Sequence, residues 1–320
     1  MLEALLSKAR QLVNRLRHPP APRRLSASSP HRVPALAPGR YHPLERVLLT
    51  DGVGRTLFEE YASHRSASRG EEETGWVLLG LREPSQAIVL GTLPAGAEYE
   101  ASAAHVRFNS TGQAVASRIV RQADRRLTIL GVVHTHPGSL RHPSDGDYRG
   151  DVQWVRHLRG GEGVFGIGTA DGPAAEPGAS FAQQPRPHVQ CWGELRFSWY
   201  ALRHGEGGYR PLPVDLTIGP DLARPLHSIW PALEAHAERI ERLILQQAGL
   251  RFSVEADERG PGLVMTMPLA EPGNAIRVLI KQKEVRYFLE RGEELLAVDH
   301  FDDLVDRGLY LLLAELAART

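Results

Sequence analysis

The chain has 320 residues, 38 basic and 38 acidic side chains, and a formal net charge of zero. That length holds one large domain or two ordinary ones, and the balanced charge argues against a global attraction to nucleic acid or an acidic membrane. Cys191 is the single cysteine, which rules out an intramolecular disulfide and a cysteine-rich zinc module and points to a reducing, cytoplasmic setting.

No apolar run reaches the ~18–20 residues of a membrane helix. Residues 309–318 come nearest, and Glu315 interrupts them. The N-terminus lacks the apolar core and small-residue cleavage site of a secretory signal. Leu2, Leu5, Leu6, Ala9, Leu12, Val13 and Leu16 instead recur at helical spacing, with Lys8, Arg10, Arg15 and Arg17 on the other face. Residues 1–18 are therefore expected to form an amphipathic basic helix. Docking on the protein itself or on a partner subunit is the preferred role, with membrane-surface contact the alternative. Residues 19–42, rich in Pro, Ser, Ala and Arg, read as a linker.

A globular pattern starts near Tyr41. Strands are expected at 46–50, 76–79 and 87–90, with a helix over 51–63 that turns Leu57 and Tyr61 inward. Residues 92–106 read as a loop, and 109–126 as a helix capped by Asn109 or Ser110. Residues 127–133 form an apolar run suited to a buried strand. A helix from the Ser144–Asp147 region to Leu158, a strand at 164–169, a Gly/Pro-rich loop at 170–187 and a closing strand pair at 189–194 and 196–202 follow. Gly205-Glu206-Gly207-Gly208 suggests a boundary, giving a first domain over 43–205. Residues 206–320 then read as a C-terminal α+β domain: a helix over 231–250, short strands at 252–254, 263–267, 276–280, 285–289 and 295–298, and a helix over 301–318. That order is similar in outline to ubiquitin-conjugating (E2-like) domains. With no cysteine in the segment, thioester chemistry is excluded and a binding or dimerisation module is expected.

The chemistry concentrates where the buried strand ends, at Gly131-Val132-Val133-His134-Thr135-His136-Pro137. Alternate residues of a strand share a face, so the two imidazoles sit roughly 6.6 Å apart at Cα and converge on one ion. Ser144 suits a helix N-cap and Asp147 the first turn, where its carboxylate offers a third ligand. Two histidines and one carboxylate around Zn²⁺ leave one coordination position open, as catalytic sites do. A bare His-x-His, or a Ser-x-x-Asp cap, has an ordinary structural explanation when it stands alone. Their conjunction at this spacing is what singles them out. His105, His142, Asp145 and Asp151 lie near in sequence and read as surface groups, and Arg107 and Arg141 as solvated residues or docking points for a carboxyl group.

The spacing His-x-His-Pro-x6-Ser-x2-Asp resembles the signature of the JAMM (MPN-domain) metalloproteases. Glu73-Thr74-Gly75-Trp76-Val77-Leu78-Leu79-Gly80 is similar to that family's upstream Glu-Thr-x-Gly-x-Leu-x-Gly, with Trp76 standing where glycine is common. The likeness covers about half of the chain, residues 43–205. It implies a mixed α/β sheet flanked by helices, of the cytidine-deaminase-like JAMM/MPN type. It also implies one catalytic zinc ion held by His134, His136 and Asp147, Glu73 as general base, and Ser144 as a transition-state donor. Glu72 competes with Glu73 for the base, and its distance to Leu78 and Gly80 favours Glu73.

The function implied is an isopeptidase or peptidase cutting after the C-terminus of a ubiquitin-like protein. The setting expected is a bacterial conjugation operon with E1/E2-like partners (antiviral in some cases) or sulfur-carrier processing. The substrate tail is expected to lie extended along a sheet edge near the metal. A zinc amidohydrolase acting on a small molecule or unrelated peptide, and a non-catalytic MPN scaffold, are the alternatives.

Overall fold

The computed structural model describes residues 41–96, 111–172, 182–247, 249–299 and 302–318. The amphipathic helix expected at the N-terminus, nearly all of the linker, His105, Arg107 and the proposed caps Asn109 and Ser110 lie outside the described residues. The chain divides into two compact units, Leu36–Ser228 and a second carrying Ile229–Thr320.

In the first unit the apolar runs become a mixed sheet. Thr50 ends β1 (Arg46–Thr50) and caps α1 (Asp51–Arg65), its hydroxyl accepting from the Val53 N–H. β2 (Gly75–Arg82) and β3 (Gln86–Pro94) form a hairpin longer than the sequence suggested, because pairing carries β3 through Gly91 to Pro94. α2 (Thr111–Val120) leads to β4 (Thr128–Thr135), and α3 (Asp145–Trp154) to β5 (Glu162–Thr169). β6 (Gln183–Arg186) and β7 (Val189–Trp192) flank a turn before β8 (Leu195–Arg203). The short β9 (Arg210–Pro211) pairs with β8. β10 (Val214–Thr217) returns to lie parallel to β1, giving the order β10-β1-β3-β2-β4-β5-β8-β7-β6.

The domain boundary expected at residue 205 therefore falls inside the sheet. Gly205–Gly208 is a turn tied to α3, since the Tyr148 hydroxyl donates to the Glu206 carbonyl (2.9 Å) and the Tyr209 hydroxyl to Asp151 (2.7 Å). α4 (Arg224–His227) closes the unit.

One face of the sheet packs against α1. Leu57, Phe58 and Tyr61 meet Trp76, Leu78, Val133, Phe197 and Trp199, all buried. The Phe197 ring lies 5.0 Å from Phe58 and 5.8 Å from Tyr61, centroid to centroid. Burying side chains of this size stabilises the fold by about 1.5–3 kcal/mol each.

The second face is shaped by an irregularity between β2 and β4. Leu78 lies opposite Gly131 but Leu79 lies opposite Ile129, so Leu130 is an extra residue in β4. The slip turns Leu130 into the α1-side core and leaves Ile129 on the same face as Val77 and Val132. Only glycine fits beside the slip, because a Cβ at Gly131 would stand 1.7 Å from the Val164 carbonyl oxygen.

The second unit has α5 (Trp230–Gln246), an antiparallel sheet in the order β11 (Arg251–Asp257), β12 (Gly260–Pro268), β13 (Asn274–Lys281), β14 (Glu284–Arg291), β15 (Glu294–Ala297), and α6 (Val305–Ala318). The fifth strand suggested at 295–298 is thus present at Glu294–Ala297. Leu233, Ile240, Met265, Ile276, Val278 and Tyr287 lie in this unit's core. Among the described residues, no helix is long and apolar enough to cross a membrane.

Candidate metal centre

β4 brings His134 to its C-terminal end, and His136 follows just beyond it. The strand is buried between β2 and β5, so neither imidazole is free to swing into solvent; His134 is 6% and His136 5% exposed. Nε2 of His134 lies 3.0 Å from Nε2 of His136. The Asp147 carboxylate closes the triangle, with Oδ1 3.2 Å from His134 Nε2 and Oδ2 3.4 Å from His136 Nε2. Three ligands at ~2.0–2.1 Å from a tetrahedral zinc ion stand roughly 3.3 Å apart, so the donor set fits zinc in both identity and spacing. Among the described residues, this is the one group of three or more His, Cys, Asp or Glu side chains able to hold a metal ion.

The supporting contacts orient each ligand. Nδ1 of His136 lies 2.8 Å from the Leu140 carbonyl, which only accepts, so the ring carries its proton there and presents Nε2 to the centre. Asp147 belongs to a capping box. Its Oδ2 accepts from the Ser144 N–H (2.6 Å) and the Ser144 hydroxyl (2.8 Å), while Ser144 Oγ accepts from the Asp147 N–H (3.2 Å). Burial alone would raise the Asp147 pKa, but the hydrogen bonds from His134 and His136 hold it far below the usual carboxylate range. Burial likewise opposes a charge on His136, and the Asp147 carboxylate, the Leu140 carbonyl and the field of Glu73 outweigh it and raise its pKa.

Glu73 reaches this pocket through strand register. Gly75 pairs with His134, the Thr74 N–H donates to Thr135 Oγ1 (2.9 Å), and the Thr135 N–H donates to the Thr74 carbonyl (2.8 Å). That pairing sets residue 73 beside His136, and Glu73 is 6% exposed. Glu72 is spent elsewhere: its carboxylate accepts from Arg69 Nε at 2.7 Å on the surface. Of the two candidates, Glu73 is the buried one and Glu72 lies on the surface.

Trp76, the departure from the JAMM pattern, is a core residue. It is buried beside Phe197, and its indole N–H donates to Glu60 at 2.7 Å. Of the neighbouring candidates, His142 and Asp145 are exposed. Arg141 pairs with Asp171 (2.6 Å) and pins the loop between the ligands. Asp151 is not a surface group. It accepts from Tyr209 and from the Trp154 indole (3.0 Å), and burial pushes its carboxyl up to about 6. Sequence spacing marked neither Asp171 nor Tyr209, because each reaches this region through tertiary contacts alone.

The model of the family described as prokaryotic homologs of the JAB domain matches residues 55–181, a span that holds Glu73, His134, His136, Ser144 and Asp147. Residues 55–181 are a prokaryotic JAB domain. A solution structure of a protein from Desulfitobacterium hafniense is similar at 18% identity, covering 55% of this chain and 95% of that chain with a TM-score of 0.36. No curated protein matches the chain. The sheet that carries the JAB domain extends beyond the matched residues, through β8 and on to β10. β4 is paired on both sides, by β2 and β5. Among the described residues β4 therefore offers no free edge of its own for a substrate tail to pair with.

Proposed function

We propose that this protein is a zinc-dependent peptidase or isopeptidase that cuts the amide bond after the C-terminal glycine of a ubiquitin-like protein. The observation that carries the reading is the convergence of His134, His136 and Asp147 with Glu73 in one buried pocket. His134, His136 and Asp147 would hold a zinc ion there, which would supply Lewis acidity and lower the pKa of water from ~15.7 to near 7. Glu73 accepts the proton of the attacking water and passes it to the departing amine. His136 keeps its ring fixed through Leu140, and Ser144 keeps the Asp147 carboxylate turned to the histidines. The Ser144 hydroxyl stands next to that carboxylate, where reorientation toward a developing oxyanion would let it donate in the transition state.

Retention of the whole ligand set and the base supports an enzyme over a scaffold. A groove over β4, floored in part by Val132 two residues before His134, supports an extended substrate over a small molecule. The partners we propose are a bacterial ubiquitin-like protein or its conjugates, with E1/E2-like enzymes encoded nearby in an antiviral or sulfur-carrier setting. Incubating the zinc-loaded protein with a panel of ubiquitin-like fusions and mapping products by mass spectrometry tests this. Cleavage after a terminal glycine is expected; cleavage only of small amides would refute the substrate class.

A further inference from the structure

On the face of the sheet that presents His134, α2 and α3 stand apart and leave a groove of about 470 Å³ over β4. Its floor is Val77, Leu93, Val132 and Ile129, and Trp154 closes the α3 side. The slip at Leu130 is what places Ile129 here, and at 40% exposure it is a large apolar side chain open to solvent on an otherwise buried strand. Ile129 lies five residues before His134, roughly 15 Å along a strand rising ~3.3 Å per residue. The α2 rim of the same groove is basic, with Arg118 and Arg121. Arg121 makes no side-chain hydrogen bond or ion pair among the described residues, and the nearest acid on that turn, Asp124, is taken by Arg126 at 2.7 Å.

We infer that this groove binds the stretch of substrate upstream of the scissile bond, with apolar side chains over the Val132–Ile129 floor and an acidic residue at Arg121. The inference rests on the peptidase reading and names the substrate sequence that reading leaves open. An extended chain spans ~15 Å in about five residues, so the fifth residue before the scissile carbonyl reaches the Ile129 end of the floor, and the acid facing the Arg121 rim of that groove is assigned there. A partly buried carboxylate–guanidinium contact is strong and directional, whereas lysine or arginine at that position meets like charge. Arg121 would thus exclude tails that are basic there.

The test uses fluorescent peptides ending in Gly-Gly before the scissile amide, with apolar residues upstream and either Glu or Lys at the fifth position. Binding to the full zinc-loaded chain carrying Glu73→Gln is followed by fluorescence anisotropy. The Glu peptide should bind about tenfold tighter than the Lys peptide, the order should reverse when Arg121→Glu is added, and Arg121→Lys should keep it. Equal affinity for the two peptides, no binding of either, or a preference unmoved by Arg121→Glu would overturn the groove assignment. Turnover of the same peptides by the wild-type chain separates the two claims. A binding preference without cleavage sinks the peptidase reading and leaves the groove, whereas cleavage with no Glu/Lys preference sinks the groove alone.

Discussion

Asp147 does two jobs that its neighbour Ser144 makes compatible. It faces both imidazoles, and the same Oδ2 that approaches His136 accepts two hydrogen bonds from Ser144. Ser144→Ala removes one of those bonds and the N-cap of α3 together. We expect a loss of about 1 kcal/mol in stability from the cap. Zinc affinity should fall about 10–100-fold from the lost orientation, as measured by competition with a chelator. An unchanged zinc affinity would assign Ser144 to the cap alone. The protonation of the pair gives a second test. In the metal-free protein the raised pKa of His136 contributes stability below its unfolded value of about 6.5, which is lost as pH rises through the folded value. The depressed Asp147 does the opposite: its contribution is present above about 3.9 and lost as pH falls. Zinc must displace the His136 proton, so the rise in Tm on adding zinc should grow between pH 5.5 and 8. A zinc-induced rise that shrinks with pH would contradict this protonation scheme.

At the scale of elements, the start of β2 is held from behind by a partly buried polar network. The Trp76 indole donates to Glu60, His227 on α4 bonds Glu60 through Nδ1, and its Nε2 lies 2.6 Å from the Thr92 carbonyl. A carbonyl only accepts and an ionised carboxylate only accepts, so both bonds require a protonated ring. Burial opposes that charge, and Glu60 overrides it to raise the His227 pKa. Glu60 is lowered in turn: its burial is outweighed by the His227 contact. The clasp is complete between the two folded pKa values. It is lost as pH rises through that of His227 and, separately, as pH falls through that of Glu60. His227→Gln should cost about 1.5–3 kcal/mol near pH 6, with the gap from wild type narrowing above pH 8 in denaturant melts. A pH-independent gap would contradict the charged clasp. None of this was visible in the linear pattern, which assigned residues 224–227 to the C-terminal domain and placed no helix there. The glycine-rich turn at 205–208 suggested a domain boundary because composition does not report the Tyr148 and Tyr209 bonds that fasten it to α3. The strands and the cluster of His134, His136 and Asp147 were legible because strand alternation and cap spacing are local, whereas Glu73 was singled out only by the resemblance of its segment to the JAMM pattern. The slip at Leu130 was not legible, because it depends on which residue of β2 each residue of β4 meets.

For the whole molecule, each of the two units has its own buried core and the metal ligands all lie in the first. Calorimetry should therefore resolve two transitions, and chelation should lower only the one belonging to Leu36–Ser228. A single transition that moves as one with chelator would contradict independent cores. Away from the ligands, at the opposite end of β5, Glu162 is buried and accepts from Arg82 (3.1 Å), the Leu44 N–H (2.8 Å) and Arg210. Glu162→Ala strands a buried arginine and should cost about 3–5 kcal/mol without changing zinc content in the folded fraction.

The central claim is that Glu73 is the proton acceptor of a metal centre built by His134, His136 and Asp147. It is tested most directly by the turnover of Glu73→Gln measured at matched zinc content. The account predicts full zinc occupancy with cleavage reduced about 10²–10⁴-fold. Near-wild-type cleavage by a zinc-loaded Glu73→Gln protein would contradict it.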